Sequence, residues 1–433
     1  MSNSQNPEAA ELSIPSASDG RSVWLRVGTV LDGTGTKPLC NIDVVYNRDS
    51  IQFVGNNPPP DFLNPGQCRP DLVLPSYTLL PGLTDAHAHL FLEGGELSFT
   101  KRAAYQAQSS NLLLQFARLR LEPLVRLGII AVRDAGDKNG VGLSLSKLYR
   151  SKQRPLMPYV DSPGAAIHRR GQYGSFMAEP LENSASPRAC VEARVREGAD
   201  RIKLIATGII NFELGRVAAK PQFTAEEILE FIAAAKKNGR QTFAHASGDD
   251  GIDLVLDGGV DSIEHGYFVR TDQLAQMRDR QIAWVPTFAP LEKQVDYASE
   301  LGWGPDVVSK LRRILDQHAA SLLRAHQMGV PIVAGSDAGS CGVAHGHGLF
   351  YELEIMERIG LPAPAVVNAA TGNGSTQLGY REPFGKIKPG YKSRFILTRH
   401  SPLTGVANLR KERYVILDGQ CYGAAEDGIT SGM

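Results

Sequence analysis

Two patterns of hydrophobic and polar residues divide this chain. Near both ends, short apolar runs are separated by clusters of Gly, Pro, Asn and Asp, a pattern typical of β-strands joined by turns. These runs lie at 23–30, 43–46, 51–54, 72–74, 394–398 and 413–417. We therefore predict that residues 22–80 and 385–425 form one small β-sandwich domain, built from both ends of the chain.

In residues 81–384, short apolar runs alternate with stretches of helical periodicity. The clearest helix is 224–237, where Thr224 and Glu227 form a capping box and Asn238 begins the stop signal. The predicted strands lie at 79–86, 129–133, 157–161, 201–206, 241–245, 262–264, 282–287 and 331–336. Eight strands with intervening helices over about 300 residues predict an α/β fold, a TIM-like (β/α)8 barrel. The alternative is an open doubly wound sheet, but its Gly-rich nucleotide-binding turn is absent from the sequence.

The composition argues against a nucleic-acid-binding protein, a membrane-spanning protein and a disulfide-stabilised protein. The 433 residues carry 46 basic and 46 acidic side chains, so the net charge gives no reason to expect nucleic acid or a membrane as a partner. No apolar run reaches the ~18 residues of a membrane span. The five cysteines are odd in number and lack C-x-x-C spacing, which argues against a disulfide framework. Residues 1–21 are polar and unlike a signal peptide, so we predict a disordered tail and a cytoplasmic protein.

Candidate metal ligands lie at the ends of the predicted barrel strands. His87 and His89 follow the first strand, and residues two apart in a strand point to the same side, so both imidazoles can reach one ion. Later strands add four further candidates: Lys203, His245, His265 and Asp337. Taken singly, each histidine would more often be an ordinary buried residue than a metal ligand. Because barrel enzymes carry their chemistry at the C-terminal ends of the strands, we predict that all six form one site.

Lys203 is the unusual member of this set. An ammonium group inside a barrel would be costly to bury and would repel a metal ion. Carboxylation by CO2 would convert the amine into a carbamate, N6-carboxylysine, whose two oxygens could each bind a divalent ion. The alternative is an unmodified lysine that pairs with a barrel acid such as Asp161.

Several segments resemble the binuclear subgroup of the amidohydrolase superfamily. The matching segments are 81–89, 198–203, 244–248, 259–266 and 334–339. The similarity covers most of 22–420 and is greatest to the branch of imidazolonepropionase-like hydrolases, which include Xaa-Pro dipeptidases, Xaa-Arg carboxypeptidases and ochratoxin-cleaving amidohydrolases. The resemblance implies that His87, His89 and Asp337 bind one metal ion. His245 and His265 would bind the second, with carboxylated Lys203 and a hydroxide as bridges.

The resemblance also implies an enzyme that cleaves an amide C–N bond. The bridging hydroxide would attack the carbonyl, and Asp337 would transfer the proton to the leaving nitrogen. The two ions are expected to be Zn2+, with manganese and cobalt left open. We expect a small-molecule substrate: a dipeptide, an N-acyl amino acid or an aryl amide. The alternatives are a cyclic-amide, urea or ester hydrolase, a mononuclear deaminase and a metal-free structural relative. Mononuclear deaminases typically lack the bridging lysine, so Lys203 argues against that alternative. The protein could also be a homo-oligomer.

The loop after the third strand carries candidate substrate-binding residues. Related hydrolases often have a histidine here, so His168 is predicted to be catalytic by contacting the scissile carbonyl. Arg169 or Arg170 could bind a substrate carboxylate through two parallel hydrogen bonds, although a solvated basic loop explains both equally well. Tyr173 and Tyr267 are predicted to line the site.

A Gly-rich segment follows the eighth predicted strand, at 338–348. It contains a second His-x-His pair, His345 and His347, but this pair does not come directly after a strand. We therefore predict a substrate-facing loop and no further metal site. His318 and His326 lie in a helical stretch and are predicted to be ordinary surface or packing residues.

Overall fold

A computed structural model of the protein describes residues 12–18, 20–35 and 37–425. Its strands are β1 (Val23–Val30), β2 (Leu39–Tyr46), β3 (Ile51–Gly55), β4 (Leu72–Pro81), β5 (Leu83–Ala88), β6 (Ile129–Asp134), β7 (Tyr159–Asp161), β8 (Ala166–His168), β9 (Ala178–Pro180), β10 (Ile202–Ile205), β11 (Ile210–Asn211), β12 (Arg216–Val217), β13 (Thr242–Ala246), β14 (Ser262–His265), β15 (Ala283–Val285), β16 (Arg394–Thr398), β17 (Arg413–Leu417) and β18 (Gln420–Ala425). Its α-helices are α1 (Phe99–Gln106), α2 (Ser110–Leu119), α3 (Leu121–Arg126), α4 (Val141–Tyr149), α5 (Pro187–Glu197), α6 (Ala225–Lys237), α7 (Asp249–Gly258), α8 (Thr271–Arg280), α9 (Ala289–Asp296), α10 (Pro305–Met328), α11 (His347–Ile359), α12 (Ala363–Ala369) and α13 (Gly372–Leu378). Short 3-10 helices lie at Pro60–Phe62, Leu181–Asn183, Pro402–Thr404 and Val406–Arg410.

Both ends of the chain contribute to one seven-stranded sheet, in the order β18-β17-β16-β4-β1-β2-β3. Its buried face includes Val27, Leu79 and Phe395, which come from both parts of the sequence. All seven strands are hydrogen-bonded into a single sheet, and its folding into the predicted β-sandwich stays a prediction. The strand β4 joins the two parts, since its ten residues pair with β1 over most of their length and with β16 over the last four.

The predicted disordered tail, 1–21, lies partly outside the described residues, which exclude 1–11 and 19. Its described part, 12–18, packs against the terminal sheet instead of extending into solvent. Ile14 and Ala17 are buried in the same core as the sheet. Burial of these two apolar residues assigns segment 12–18 to the terminal sheet.

Parallel strands form two sheets in the middle of the chain, with the orders β15-β14-β13-β10-β8-β9 and β5-β6-β7. Seven of the eight predicted barrel strands coincide with β5, β6, β7, β10, β13, β14 and β15. The eighth predicted strand, 331–336, has no assigned strand, but Ile332 bridges to Trp284 in β15 and Ala338 bridges to Ala88 in β5. These bridges connect the two sheets on one side, as a barrel requires. The closed barrel itself stays a prediction.

The helices follow the pattern expected from the sequence. The predicted helix 224–237 is confirmed as α6, and its capping box is formed: the Thr224 side chain accepts from Glu227 N, and the Glu227 carboxylate accepts from Thr224 N. The longest helix, α10, has 24 residues and a polar outer face. Within the described part of the chain, no helix has both the length and the apolarity needed to cross a bilayer.

Candidate metal centre

The predicted metal ligands lie together at the C-terminal ends of the parallel strands. All of them are buried and line one cavity of about 340 Å3: His87, His89, Lys203, His245, His265 and Asp337. The ring centroids of His87 and His265 are 5.0 Å apart, and those of His245 and His265 are 4.6 Å apart. Asp337 N donates to His87 O at 2.7 Å, so the eighth segment lies directly beside β5. Residues up to 250 positions apart in the sequence thus surround one point.

Two of these residues have left-handed backbone conformations. The φ angle is 67° at His265 and 53° at Asp337, a region that costs a non-glycine residue about 1–3 kcal/mol and is frequent at functional sites. Each of the two residues ends a parallel segment. Beside them, a Cβ atom at Gly335 would lie 2.9 Å from His87 N, so only glycine allows this close approach to β5.

A buried carboxylate holds the first imidazole in place. His87 Nδ1 lies 2.6 Å from Glu264 Oε2, and Arg133 Nη2 donates to both oxygens of Glu264 at 2.7 and 2.8 Å. A carboxylate behind a histidine fixes the tautomer with the proton on Nδ1. His87 Nε2 therefore keeps its lone pair and lies 3.7 Å from Asp337 Oδ1, inside the cavity.

The other three imidazoles are held by single oxygens. The pairs are His89 Nδ1 and Gly136 O at 3.4 Å, His245 Nε2 and Gly208 O at 3.3 Å, and His265 Nδ1 and Thr287 Oγ1 at 2.6 Å. Each contact engages one ring nitrogen and leaves the other for a ligand. This is the arrangement that orients metal-binding histidines in proteins.

Burial sets the protonation states of the cluster. It lowers the pKa of His89 and His245 to about 3, with the charge of Lys203 as the second cause. The same desolvation lowers the pKa of Lys203 to about 8 and raises that of Asp337 to about 7. Neutral imidazoles have the lone pairs that metal ions bind, and a lowered lysine pKa increases the fraction of neutral amine.

Two buried polar atoms at the centre have no hydrogen-bond partner among the described residues: Lys203 Nζ and Asp337 Oδ1. An unpaired buried charge is strongly destabilising, so these atoms indicate a ligand that the protein itself does not supply. One ligand atom each from His87, His265 and Asp337 lies within 4.8 Å of the others. Imidazole nitrogen together with carboxylate oxygen is a donor set that suits zinc and related ions. The side chains therefore fit a metal ion.

The two predicted tyrosines line the cavity. The ring centroid of Tyr173 is 5.4 Å from that of His245, so this ring forms a wall beside the cluster. The Tyr267 hydroxyl donates to Thr287 O at 3.0 Å, and its ring stacks on His318 with centroids 4.0 Å apart. The packing role expected for His318 fits this contact, although the residue is fully buried and lies behind the site.

Both predicted arginines lie outside the described lining of the cavity. The Arg169 guanidinium donates to the carboxylate of Glu227 and to Gln222 O. Arg170 Nη2 donates to Asn183 Oδ1 at 2.6 Å on the surface. The Arg169 guanidinium is thus paired with a carboxylate, the Arg170 guanidinium bonds an amide on the surface, and neither arginine lines the cavity.

His168 ends β8 and is buried, with 3% of its surface exposed. Burial lowers its pKa, and its Nδ1 has no hydrogen-bond partner among the described residues. It is not one of the described residues that line the cavity. Contact with a scissile carbonyl therefore stays a prediction.

The segment 338–348 reaches the cavity through Ser340 and Cys341. His345 instead lies behind the cluster, where its Nε2 is 3.1 Å from His89 O. The loop thus faces the cavity on one side, as expected from its position after the eighth segment. His345 contacts the backbone of His89, which is a predicted metal ligand.

The walls of the cavity were missed by sequence reasoning. They are mainly apolar, and one guanidinium lies among them; examples are Phe99, Arg102, Phe176, Ile210, Phe212 and Leu291. These residues come from loops and helices that are distant in sequence, and no local pattern marks them. Glu264, which holds His87 from behind, was also missed, although its position could have indicated a role. It directly precedes His265 in a buried strand, where an unpaired acid would be costly.

Known proteins resemble this chain over most of its length. The family model described as the amidohydrolase family matches residues 78–421. Ochratoxinase of Aspergillus niger is 26% identical, with 95% of this chain and 88% of that protein covered. An uncharacterized protein of Mycobacterium tuberculosis is also 26% identical, with 82% of this chain and 87% of that protein covered.

Solved structures share the fold. A Xaa-Pro dipeptidase with bound methionine in the active site superposes with a TM-score of 0.77 at 25% identity, covering 93% of this chain and all of that one. The A. niger ochratoxinase structure has a TM-score of 0.75 at 22% identity, covering 93% of this chain and 96% of that one. The matched regions are long enough to include both the parallel strands and the terminal sheet.

Proposed function

Because the chain belongs to the amidohydrolase family, and is therefore a hydrolase acting on carbon–nitrogen bonds, we propose that it cleaves an amide bond at a binuclear metal site. In this proposal the parallel strands and the eighth segment form a (β/α)8 barrel, and the site lies at the C-terminal ends of its strands.

One observation carries the proposal: Lys203 Nζ and Asp337 Oδ1 are buried without partners among four imidazoles of lowered pKa. We infer that His87, His89 and Asp337 hold one divalent ion. His245 and His265 would hold a second, with N6-carboxylated Lys203 between the two. Zinc is the expected metal because nitrogen and oxygen donors suit it. The lowered pKa of Lys203 supports the carbamate, since CO2 reacts with the neutral amine.

The chemistry divides between the bound ions and the protein. When bound, two divalent ions would supply a hydroxide nucleophile at neutral pH and polarise the substrate carbonyl. Asp337 would accept the proton of the nucleophile and donate it to the leaving nitrogen. Its Oδ1 is buried, unpartnered and lines the cavity, as this role requires. Tyr173 and Tyr267 would form the wall that orients the substrate and excludes water.

The proposed substrates are dipeptides, N-acyl amino acids or aryl amides. The similarity to a Xaa-Pro dipeptidase and to an ochratoxinase supports amide hydrolysis in general and does not choose among these substrates. A cyclic-amide, urea or ester hydrolase remains the second candidate, because the same cluster could activate water toward those carbonyls.

The proposal is tested by metal content, mass and turnover of the purified full-length chain. We expect about two divalent ions per chain, loss of activity on chelation, and its recovery when zinc and bicarbonate are added together. A panel of dipeptides, N-acyl amino acids, aryl amides, ureas, lactams and esters identifies the bond. One ion with release of ammonia would assign a deaminase instead. A chain that binds no metal and hydrolyses nothing would overturn the proposal.

A further inference from the structure

Among the described residues, Arg102 is the arginine that lines the candidate active-site cavity. It lies in α1 and is half-buried. Its Nη1 donates to Glu93 O at 2.8 Å and to Glu96 O at 3.5 Å, and its Nη2 donates to Gly339 O at 2.7 Å. Three backbone carbonyls therefore hold the guanidinium in one orientation.

The charge of Arg102 is not neutralised by a carboxylate among the described residues. Its neighbour Lys101, by contrast, pairs with Glu96 at 3.2 Å, and Arg169 pairs with Glu227. A guanidinium has five N–H donors, so further donors remain after the three carbonyl contacts. A fixed cation without a counter-ion in a partly enclosed cavity is a binding site for an anion.

A hydrogen bond to Gly339 ties the Arg102 guanidinium to the segment that carries Asp337, a candidate metal ligand. Gly339, which accepts its hydrogen bond, is two residues after Asp337. Ser340 and Cys341 follow in the same loop and line the same cavity. The guanidinium and the predicted catalytic carboxylate are thus held by one short segment, which gives them a defined separation.

Much of the remaining cavity wall is apolar. Phe176, Ile210, Phe212 and Leu291 contribute to it, and Phe99 lies at its rim with 60% of its surface exposed. Such walls favour an apolar group on the substrate, because burying it removes apolar surface from water. The cavity therefore combines three recognition elements: the candidate metal ligands, apolar walls and one fixed guanidinium.

We propose that Arg102 determines specificity by binding a free carboxylate of the substrate, so that the enzyme selects amides carrying both an apolar group and a carboxylate. This inference rests on the proposed amide hydrolysis. Arg102 replaces Arg169 and Arg170, which do not line the cavity, as the proposed carboxylate-binding residue. Neutral aryl amides become poor substrates, whereas N-acyl amino acids and dipeptides with apolar side chains become good ones.

Matched pairs of amides test the proposal on the metal-loaded full-length chain. N-benzoyl-leucine, N-benzoyl-phenylalanine and N-benzoyl-proline are each compared with the amide of the decarboxylated amine: isopentylamine, phenethylamine or pyrrolidine. For every pair that is cleaved, we expect kcat/KM to favour the acid by at least about tenfold, the size of one charge-assisted hydrogen bond. Equal rates for the two members would overturn the inference and leave the hydrolase intact. Failure to cleave any amide, with no metal bound, would instead overturn the proposed function.

Variants test which residue causes the preference for the acid member of each pair. Arg102→Met should reduce the acid preference to near unity, mainly by raising KM for the acid member of each pair. Arg102→Lys keeps the charge but loses the planar fork, so an intermediate preference is expected. Lys101→Met removes a charge from the exposed side of the same helix and should retain the full preference. A preference that survives Arg102→Met, or that disappears in Arg169→Met, would contradict the assignment; thermal unfolding and metal content of each variant exclude misfolding as the cause.

Discussion

At the scale of single residues, the candidate site depends on buried polar groups whose partners come from other strands. The His-x-His spacing was visible in the sequence because side-chain direction in a strand has a period of two, and the later histidines, Lys203 and Asp337 were visible at predicted strand ends. Glu264 and Arg133, which hold His87 from behind, were not identified. Their role depends on contacts across 131 and 177 positions of sequence separation, which no local pattern encodes.

Glu264→Gln tests this support at the residue scale. The variant should lower zinc affinity by about 10–100-fold, because the amide no longer fixes the His87 tautomer. It should also lower the free energy of unfolding by about 3 kcal/mol or more, because Arg133 keeps a buried charge without its partner. Zinc titration in competition with a chromophoric chelator and urea unfolding measure the two effects.

Glu300→Gln is the matched control for this variant, since Glu300 is exposed and removed from the cavity. It should change neither quantity. Zinc affinity equal to wild type in Glu264→Gln, with the fold intact, would show that His87 does not need this carboxylate.

At the scale of elements, one run of apolar residues proved to be two strands. The predicted strand 79–86 is divided between β4 in the terminal sheet and β5 beside the cluster. Gly82 makes the transition: a Cβ atom there would lie 2.4 Å from Ile130 Cγ2. The alternation of polar and apolar residues cannot reveal such a division, because both halves are buried and read as one apolar run.

Helix α6 shows the opposite case, since its local signals were sufficient. Thr224→Ala should lower the free energy of unfolding by about 1 kcal/mol, because the Glu227 N–H group loses its acceptor in the capping box. Thr224→Ser keeps a hydroxyl and should stay close to wild type. Urea unfolding followed by circular dichroism measures both, and equal losses in the two variants would assign the effect to the lost methyl group and not to the cap.

At the scale of the whole molecule, the candidate metal ligands connect separate sheets. His87 belongs to the three-stranded sheet, whereas Lys203, His245 and His265 belong to the six-stranded sheet. A bound ion would therefore link strands that are otherwise joined by bridges and side-chain packing. The cytoplasmic location and the oligomeric state stay predictions.

Metal removal should consequently lower the thermal stability of the entire chain. A ligand present at 100 times its dissociation constant stabilises the folded state by about 2.7 kcal/mol, so chelation should lower Tm and zinc should restore it. His265→Gln should abolish this response, whereas His326→Gln, which changes an exposed histidine, should retain it. Differential scanning calorimetry measures the shift; an unchanged Tm in protein that has demonstrably lost its metal would contradict the link between the sheets.

The sequence by itself determined the local features: the strand and helix pattern, the capping box of α6 and six ligand candidates at predicted strand ends. These depend on backbone periodicity and on interactions between residues close in the chain. Only the tertiary structure decided that the terminal strands form one sheet, that Glu264 and Arg133 hold His87, and that Arg102, not Arg169, lines the cavity. These features depend on which distant segments come into contact, and the packing of the entire chain sets those contacts.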